Sequence, residues 1–505
     1  MKNILVVGGG SAGVMSAYTF KKLFPDKNVT ILESDNIPTV GVGESTLGKI
    51  NQWIKMVGLD EKDFIKKCNA SLKMSIRFEN FYKKGDGGFH YPFGTPVLNH
   101  MNDWFLKKTL YPETPISDYV ESYYPIMALV NSNKISTESF DSYYYDSDVA
   151  YHFDATMFAN WLKEEFIKIG GIVEKGDVKK FNLNEDGIEN IITDKEKKYT
   201  ADLFIDCTGW KSILLGGVLK EPFESYSDIL PNNKAWAAHL PYTDKEKELK
   251  PYTNCTALTN GWVWNIPLWS RMGTGYVYSD KYISDEEALK EFKIYLGRDD
   301  LNFKNLKMRV GLHERIFVKN VCAIGLSAGF IEPLESNGLL SVHVFLCNLV
   351  KIIRDRPIIS NFLKDQFNVT CHRFFKIFSE FVATHYALSA RDDSKYWRDI
   401  QKRNYPIDKI YARYDSHFQQ SNHYNFDNHV YPKFETGISC IAVGMNFWPT
   451  DENILRHDSY ENDINILKTK WANDIQQMED RKKRWKEQVK DCPTMYQYLK
   501  ELHKP

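Results

Sequence analysis

Residues 3–13 read NILVVGGGSAG, and this stretch decides the fold. The apolar run over residues 3–7 predicts a buried β-strand, and residues 11–24 repeat apolar side chains at helical spacing. A second strand is predicted at residues 28–32. The order strand, helix, strand indicates a parallel sheet whose strands are joined by crossover helices.

The glycines between the first strand and the first helix carry a binding function. Gly8, Gly10 and Gly13 have the spacing of a dinucleotide-binding fingerprint in the context that it requires. Gly8 permits a tight turn, Gly10 lets the backbone approach a pyrophosphate, and Gly13 allows the helix to pack closely on the strand. Ser11 and Ala12 open the helix, whose N–H groups and partial positive charge favour an anion.

An acidic residue completes this site. Glu33 ends the second strand, twenty residues after Gly13, where a carboxylate can accept hydrogen bonds from ribose hydroxyls.

The fingerprint serves FAD and NAD alike. Residues 203–209 and 322–325 favour FAD, since each is a strand ending in a small-residue turn, as flavin monooxygenase folds have around FAD. No second glycine fingerprint follows a strand, so we expect a separate NAD(P)H-dependent reductase to supply reduced FAD.

Composition narrows the class of protein further. The 505 residues allow two to four domains at roughly 150 residues each, and the net charge of −1 favours neither nucleic acid nor an anionic membrane. The eight cysteines form no CxxC pair, which indicates a reducing, cytoplasmic setting. Polar residues interrupt the longest apolar run, residues 338–353, so it predicts a buried helix and not a membrane span. We assign no metal, and a homodimer is left open.

The later part of the chain changes character. Strand-like runs recur up to residue 324, and residues 182–198 predict a hairpin. We predict an α/β fold of the FAD-binding Rossmann type, similar to flavin monooxygenases, with an interleaved β-sheet over residues 1–355. A mainly helical portion, residues 356–505, is expected to cover the substrate. The basic run at residues 481–484 is interpreted as one solvated helix face.

A resemblance to a known family rests on five segments. Residues 261–267 read GWVWNIP and match the GWxWxIP motif of flavin-dependent halogenases. The other four are GVGEST at 41–46, ASLK at 70–73, YHFDA at 151–155 and FIEPLESNG at 330–338. Because their order and approximate spacing also agree, the chain resembles the tryptophan halogenase family over most of its length.

The resemblance implies catalytic roles that the residues alone leave open. Trp262 and Trp264 would wall the flavin away from the substrate, although alternation along a strand also fits core packing. Lys73 would pass hypohalous acid or a haloamine to an aromatic ring, although such a lysine can equally be an edge residue with its head in water. Glu335 would be the catalytic carboxylate, although Glu332 and Glu335 also fit two exposed acids before a helix.

Further roles follow from the same resemblance. Gly43 and Leu339 would contact the flavin, Asn337 and Gly338 would bind halide at a helix start, and Ser336 would line the path of the oxidant. The chain departs from the commoner family pattern at Ser45, Asn337 and residues 326–327, which leaves the preference among chloride, bromide and iodide open.

The sequence leaves alternatives open for both the substrate and the reaction. His90, Phe93 and Trp448 are candidates for a ring-binding wall, and each also fits simple packing. The substrate could be tryptophan, a simpler indole, a phenol or a pyrrole. A flavin monooxygenase that hydroxylates its substrate is the rival enzyme, and a flavoprotein that serves only as a binding module is the non-enzymatic rival.

Overall fold

The computed structural model describes residues 1–36, 44–97, 103–354, 356, 358–402, 435–447 and 464–504. The described residues group into two compact units. Unit 1 contains Met1–Ser71, Ala150–Tyr242 and Leu268–Ser379, and unit 2 contains Leu72–Val149, Thr243–Pro267 and Glu380–Pro505. Each unit is therefore built from three stretches that are distant in sequence. The division into domains at residue 355 stays a prediction.

Short strands make up the sheets of both units. They are β1 Asn3–Val7, β2 Asn28–Glu33, β3 Glu44–Ser45, β4 Ser71–Lys73, β5 Ser75–Glu79, β6 Gly88–Pro92, β7 Ala150–Phe153, β8 Ile172–Lys175, β9 Val178–Asn184, β10 Gly187–Thr193, β11 Lys198–Tyr199, β12 Leu203–Asp206, β13 Phe223–Ser225, β14 Lys234–Leu240, β15 Tyr252–Ala257, β16 Gly261–Pro267, β17 Met272–Tyr278, β18 Lys304–Lys307, β19 Gly311–His313, β20 Phe317–Val318, β21 Val321–Ala323 and β22 Gly329–Phe330.

Helices alternate with the strands and then replace them. They are α1 Ser11–Leu23, α2 Ile50–Val57, α3 Glu61–Lys67, α4 Asp103–Leu110, α5 Asp118–Tyr123, α6 Ile126–Ser132, α7 Tyr145–Asp148, α8 Ala155–Lys168, α9 Lys245–Glu248, α10 Asp285–Leu296, α11 Gly338–Ile353, α12 Asn361–Ala387, α13 Lys395–Ile400, α14 Glu435–Gly444, α15 Ile464–Gln488 and α16 Met495–Leu502.

A largely parallel sheet forms the centre of unit 1. Its strand order is β20-β21-β12-β1-β2-β8, and β1 pairs in parallel with both β2 and β12. Four of the five residues of β1 are buried, and so are all four of β12, because helices cover the sheet. The register sets Val7 beside Leu32 and Asp206, so the strands end together at one edge. The predicted Rossmann-type fold is confirmed.

Antiparallel strands complete each unit. In unit 1, β14 pairs with β17 and β18, and β9 forms with β10 the predicted hairpin. In unit 2, β15 lies between β16 and β5, and β5 also pairs with β6. Trp264 is thereby fixed opposite Cys255 on the neighbouring strand.

After Phe330 every described element is helical, as predicted for the C-terminal portion. No helix within the described ranges is both long enough and apolar enough to cross a membrane. The interpretation of residues 481–484 as one solvated face is wrong for two of them. Arg481 donates to the Ser122 carbonyl, and Lys482 pairs with Asp118, so this part of α15 is packed on α5.

Candidate active site

The glycine loop of unit 1 is shaped by close approaches of the backbone. Gly8 has φ +114°, and a Cβ added there would lie 2.2 Å from the carbonyl oxygen of Cys207. A Cβ on Gly13 would lie 1.9 Å from the Gly8 oxygen. At Gly10 a Cβ would meet nothing within 4 Å, so the loop is open on that side. The open cradle before the N-terminus of α1 fits the pyrophosphate of a dinucleotide.

The two small-residue turns return to this loop. Asp206 accepts hydrogen bonds from the backbone N–H groups of Leu214 and Leu215, at 2.8 and 2.9 Å, and so fixes the turn after β12. In the second turn Gly325 has φ +74°, and a Cβ there would lie 2.7 Å from the Cβ of Ala12. A Cβ on Gly8 would meet the Cys207 carbonyl and one on Gly325 would meet Ala12, so the two turns lie against the glycine loop and the start of α1. Their place around FAD stays a prediction.

Glu33 lies at the end of β2 with two lysines around it. The Lys163 ammonium contacts both carboxylate oxygens at 2.8 and 2.7 Å, and Lys175 contacts one at 2.7 Å. A Cβ on Gly9 would collide with the Glu33 carboxylate, so that carboxylate faces the glycine loop. The position fits a ribose acceptor, and that role stays a prediction.

A buried polar turn precedes α11. Glu332 and Glu335 are both fully buried, so the alternative interpretation of two exposed acids is wrong. The Asn232 amide donates to the Glu332 carboxylate at 2.8 Å, and the Asn337 amide donates to the Glu332 carbonyl at 2.8 Å. Glu335 is the last residue of the short helical turn Pro333–Glu335, which lies in the chain between Glu332 and Asn337.

The helix start itself follows this turn. Ser336 adopts the left-handed conformation, with φ 54°, and its hydroxyl donates to the Ser45 hydroxyl at 3.0 Å. Asn337 is the N-cap residue and α11 begins at Gly338, where an added Cβ would meet nothing within 4 Å. Leu339 is buried in the first turn. The N–H groups of this helix start can hold an anion.

Unit 2 holds Lys73 at the end of β4. The side chain is fully buried, so the alternative of a lysine with its head in water is wrong. Its ammonium lies 5.0 Å from the centroid of the Phe93 ring, which a desolvated cation favours. Trp262 and Trp264 are buried on β16 with their ring centroids 6.2 Å apart.

His90 also lies in unit 2, on β6. Its Nδ1 is 3.0 Å from the Ser75 hydroxyl, and its ring meets that of Tyr252 edge to face. Burial, together with the neighbouring Arg77 charge, lowers the pKa of His90 to about 3. The imidazole is therefore neutral at physiological pH, which suits a wall residue better than an acid.

The sequence alone does not predict that some other polar residues belong to the site. Asn232 and Lys163 carry no local motif, and each meets its carboxylate partner across at least 100 residues of chain. Glu44 does belong to a quoted motif, and burial, helped by the Asp154 charge, raises its pKa to about 7. Gly43 and Trp448 lie outside the described residues, so their roles stay predictions.

A Rossmann-type sheet with an open glycine loop, and buried ionisable side chains at the motif positions, are typical of a dinucleotide-binding oxidoreductase. A sequence profile described as "Tryptophan halogenase" matches residues 3–461. The chain therefore belongs to the tryptophan halogenase family.

Individual relatives agree with this membership. The chain is 32% identical to tryptophan 7-halogenase KtzQ from Kutzneria sp. (strain 744), over 100% of this chain and 98% of the relative. Among solved structures, the VirX1 apo structure superimposes with a TM-score of 0.89 at 34% identity, covering 99% of both chains. The tryptophan 6-halogenase SttH from Streptomyces toxytricini gives 0.84 at 29% identity, covering 99% of this chain and 100% of that one.

The family fixes the class of reaction. The protein is a flavin-dependent halogenase that uses FAD and a halide ion, with reduced FAD supplied by a separate flavin reductase and a small aromatic compound as substrate. The hydroxylase alternative is not favoured.

Proposed function

We propose that the chain halogenates an electron-rich, indole-type ring, with Lys73 and Glu335 as its catalytic residues. The observation that carries this proposal is burial: both ionisable side chains are 0% exposed at the motif positions. Burying a charge costs several kcal/mol unless it is compensated, and such groups concentrate at functional sites.

The glycine loop and its neighbours would hold the cofactor. Gly8 and Gly13 shape the loop and Gly10 leaves room in it for the pyrophosphate, Ser11 and Ala12 present N–H groups, and Glu33 would accept from the ribose. Gly43 and Leu339 would contact the flavin ring. Bound reduced FAD supplies the two electrons with which oxygen and halide become hypohalous acid and water.

Halide would bind at the start of α11. The backbone N–H groups of Asn337 and Gly338 lie at the positive end of a helix of 16 residues. The Asn337 amide is already engaged with the Glu332 carbonyl, so its side chain holds the turn while the backbone N–H groups serve the anion.

Lys73 and Glu335 would then direct the oxidant. Hypohalous acid accepts a hydrogen bond from the Lys73 ammonium, or transfers its halogen to the amine, and Trp262 and Trp264 keep the ring away from the flavin. The ring carbon would gain the halogen and give its proton to the Glu335 carboxylate, while the oxygen of hypohalous acid takes a proton from the Lys73 nitrogen and leaves as water. The Lys73 nitrogen would regain a proton as Glu335 releases the one that it accepted. Ser336, His90, Phe93 and Trp448 would line the path and the ring pocket.

The names of relatives support an indole-type substrate. KtzQ is a tryptophan 7-halogenase, and KtzR, 34% identical over 80% of this chain, is a 7-chloro-L-tryptophan 6-halogenase. Tryptophan or a simpler indole is therefore the proposed substrate, ahead of a phenol or a pyrrole. A homodimer stays a prediction.

An assay with a flavin reductase, NADH, oxygen and each of chloride, bromide and iodide over a panel of aromatic compounds tests this proposal. Mass spectrometry should find a halogenated indole. Lys73→Ala and Glu335→Gln should each lower product at least about 100-fold while flavin reoxidation continues.

Lys84→Ala serves as the matched control, because Lys84 is an exposed lysine in the same part of unit 2. It should match the wild type. Undiminished product from Lys73→Ala or Glu335→Gln would refute the role of that residue, and halide-independent hydroxylation would refute the proposed reaction.

A further inference from the structure

We propose that Ser45 is a positioning residue for the turn that carries Glu335 and begins α11. It acts through the hydrogen bond in which the Ser336 hydroxyl donates to the Ser45 hydroxyl at 3.0 Å. The inference rests on the proposed roles of Glu335 and of the halide-binding helix start.

Ser336 needs an external restraint. Its φ of 54° is in the left-handed region, which costs a residue other than glycine on the order of 1 kcal/mol. The residue is only 6% exposed, so the neighbouring structure decides its conformation. Since Glu335 precedes Ser336 and Asn337 follows it, a change of backbone angle at Ser336 moves the carboxylate and the helix start relative to each other.

Ser45 lies on β3, a short strand that several hydrogen bonds hold against β7. It pairs with His152 in the ladder between β3 and β7. The next residue, Thr46, donates to the Tyr151 carbonyl through both its N–H, at 3.0 Å, and its hydroxyl, at 2.9 Å. The Tyr151 N–H in turn donates to the Thr46 hydroxyl at 2.9 Å. The backbone of Ser45 is therefore held in place, so that its hydroxyl can hold the Ser336 hydroxyl as an acceptor.

The other side of the turn is held independently. The amides of Asn232 and Asn337 both bind Glu332, one at the carboxylate and one at the carbonyl. This clamp fixes the residues before Glu335 and the N-cap of α11, while Ser45 fixes the residue between them. Removal of the Ser45 hydroxyl should therefore loosen one linkage without unfolding the turn.

The test compares Ser45→Ala with Ser45→Thr. The alanine variant should lower kcat for halogenation about tenfold and raise KM for bromide and chloride, because both the carboxylate and the anion-binding N–H groups lose their alignment. Threonine keeps the hydroxyl and suits a strand, so it should restore activity to within about twofold of the wild type. Line broadening of ³⁵Cl by the FAD-bound protein provides a readout of halide binding without turnover, and it should weaken in Ser45→Ala alone.

Controls separate this inference from a structural effect. Ser379→Ala removes a buried hydroxyl of α12 that donates to the Lys376 carbonyl, and it should leave the kinetics unchanged. The FAD affinity and melting temperature of Ser45→Ala should match those of Ser379→Ala. Wild-type kinetics in Ser45→Ala, equal losses in the threonine variant, or a loss of activity that follows a loss of melting temperature would each overturn the positioning role.

Glu335→Gln separates this inference from the proposed function. If Glu335→Gln retains full halogenation, the proposed role of Glu335 fails, whatever Ser45 does. If Glu335→Gln is inactive and Ser45→Ala is unaffected, only the positioning role fails.

Discussion

At the scale of single residues, neighbouring glycines of one loop have different physical reasons to be glycine. Gly13 is required by the fold, because a side chain there would collide with the Gly8 carbonyl. Gly10 has no such neighbour and adopts φ −77°, which alanine tolerates. Its lack of a side chain therefore serves the ligand and not the folding of the chain.

This contrast gives a prediction for Gly10→Ala and Gly13→Ala. Gly10→Ala should leave the melting temperature of the FAD-free protein unchanged and weaken FAD binding about tenfold or more, since a methyl group would occupy the cradle. Gly13→Ala should destabilise the FAD-free protein by about 1–3 kcal/mol through overpacking. Calorimetry without FAD and fluorescence titration with FAD measure the two effects. Tight FAD binding by Gly10→Ala would contradict the assignment of the loop as the pyrophosphate site.

At the scale of elements, an ion cluster joins three helices of unit 2. Asp118 of α5 accepts from Lys107 of α4 at 2.7 Å and from Lys482 of α15, and Glu479 contacts the same two lysines at 2.6 and 2.8 Å. Burial raises the pKa of Asp118, but the hydrogen bonds from Lys107 and Lys482 outweigh it, so the pKa lies below the usual 3.8. The folded state therefore favours the ionised carboxylate.

Asp118→Asn should lower stability by about 2 kcal/mol at pH 7, because two largely buried ammonium groups lose a counter-charge. A depressed folded pKa contributes stability above pH 3.8, and the contribution is lost as pH falls through the folded pKa. The melting-temperature difference between wild type and variant should therefore shrink in acid. Asp480→Asn, at an exposed acid of α15, is the matched control, and its melting temperature should equal that of the wild type both at pH 7 and in acid. A difference that is constant with pH would contradict the titration of Asp118.

The same elements show what the sequence could predict. The strands of the parallel sheet follow from local apolar runs ended by glycine or an acid, so the predicted bounds of β1 and β12 agree with the structure. The partners of Lys482 cannot be inferred locally, because Asp118 is 364 residues away. Likewise, the sequence around Lys73 allows a buried or an exposed side chain. The family motif suggested its role, and only the packing of the folded chain settles its burial.

At the scale of the whole molecule, each unit depends on distant stretches of the chain. In unit 2 the Ile135 N–H donates to the Pro493 carbonyl and the Met495 N–H donates to the Asn133 carbonyl, each at 2.9–3.0 Å. The last helix is thus tied to the end of α6 across more than 350 residues. Closing so long a loop costs conformational entropy. Pairing between such distant stretches cannot be inferred from local composition, so composition alone could not predict which stretches form one unit.

The single glycine fingerprint leads to a prediction about how the enzyme obtains reduced FAD. The part of the chain that the structure describes presents one strand-loop-helix unit of this kind, at residues 3–23, and the family receives its reduced FAD from a separate reductase. The reductase should then act only as a source of electrons. FAD reduced by light under anaerobic conditions, bound to the protein and mixed with oxygen, bromide and an indole, should yield about one brominated product per flavin at most, without NADH or reductase.

NADH with oxidised FAD and no reductase should yield no brominated product, and this reaction is the control. If photoreduced FAD gives no product while the addition of reductase restores it, direct contact between the two proteins would be part of the reaction, and free diffusion of reduced flavin would be refuted.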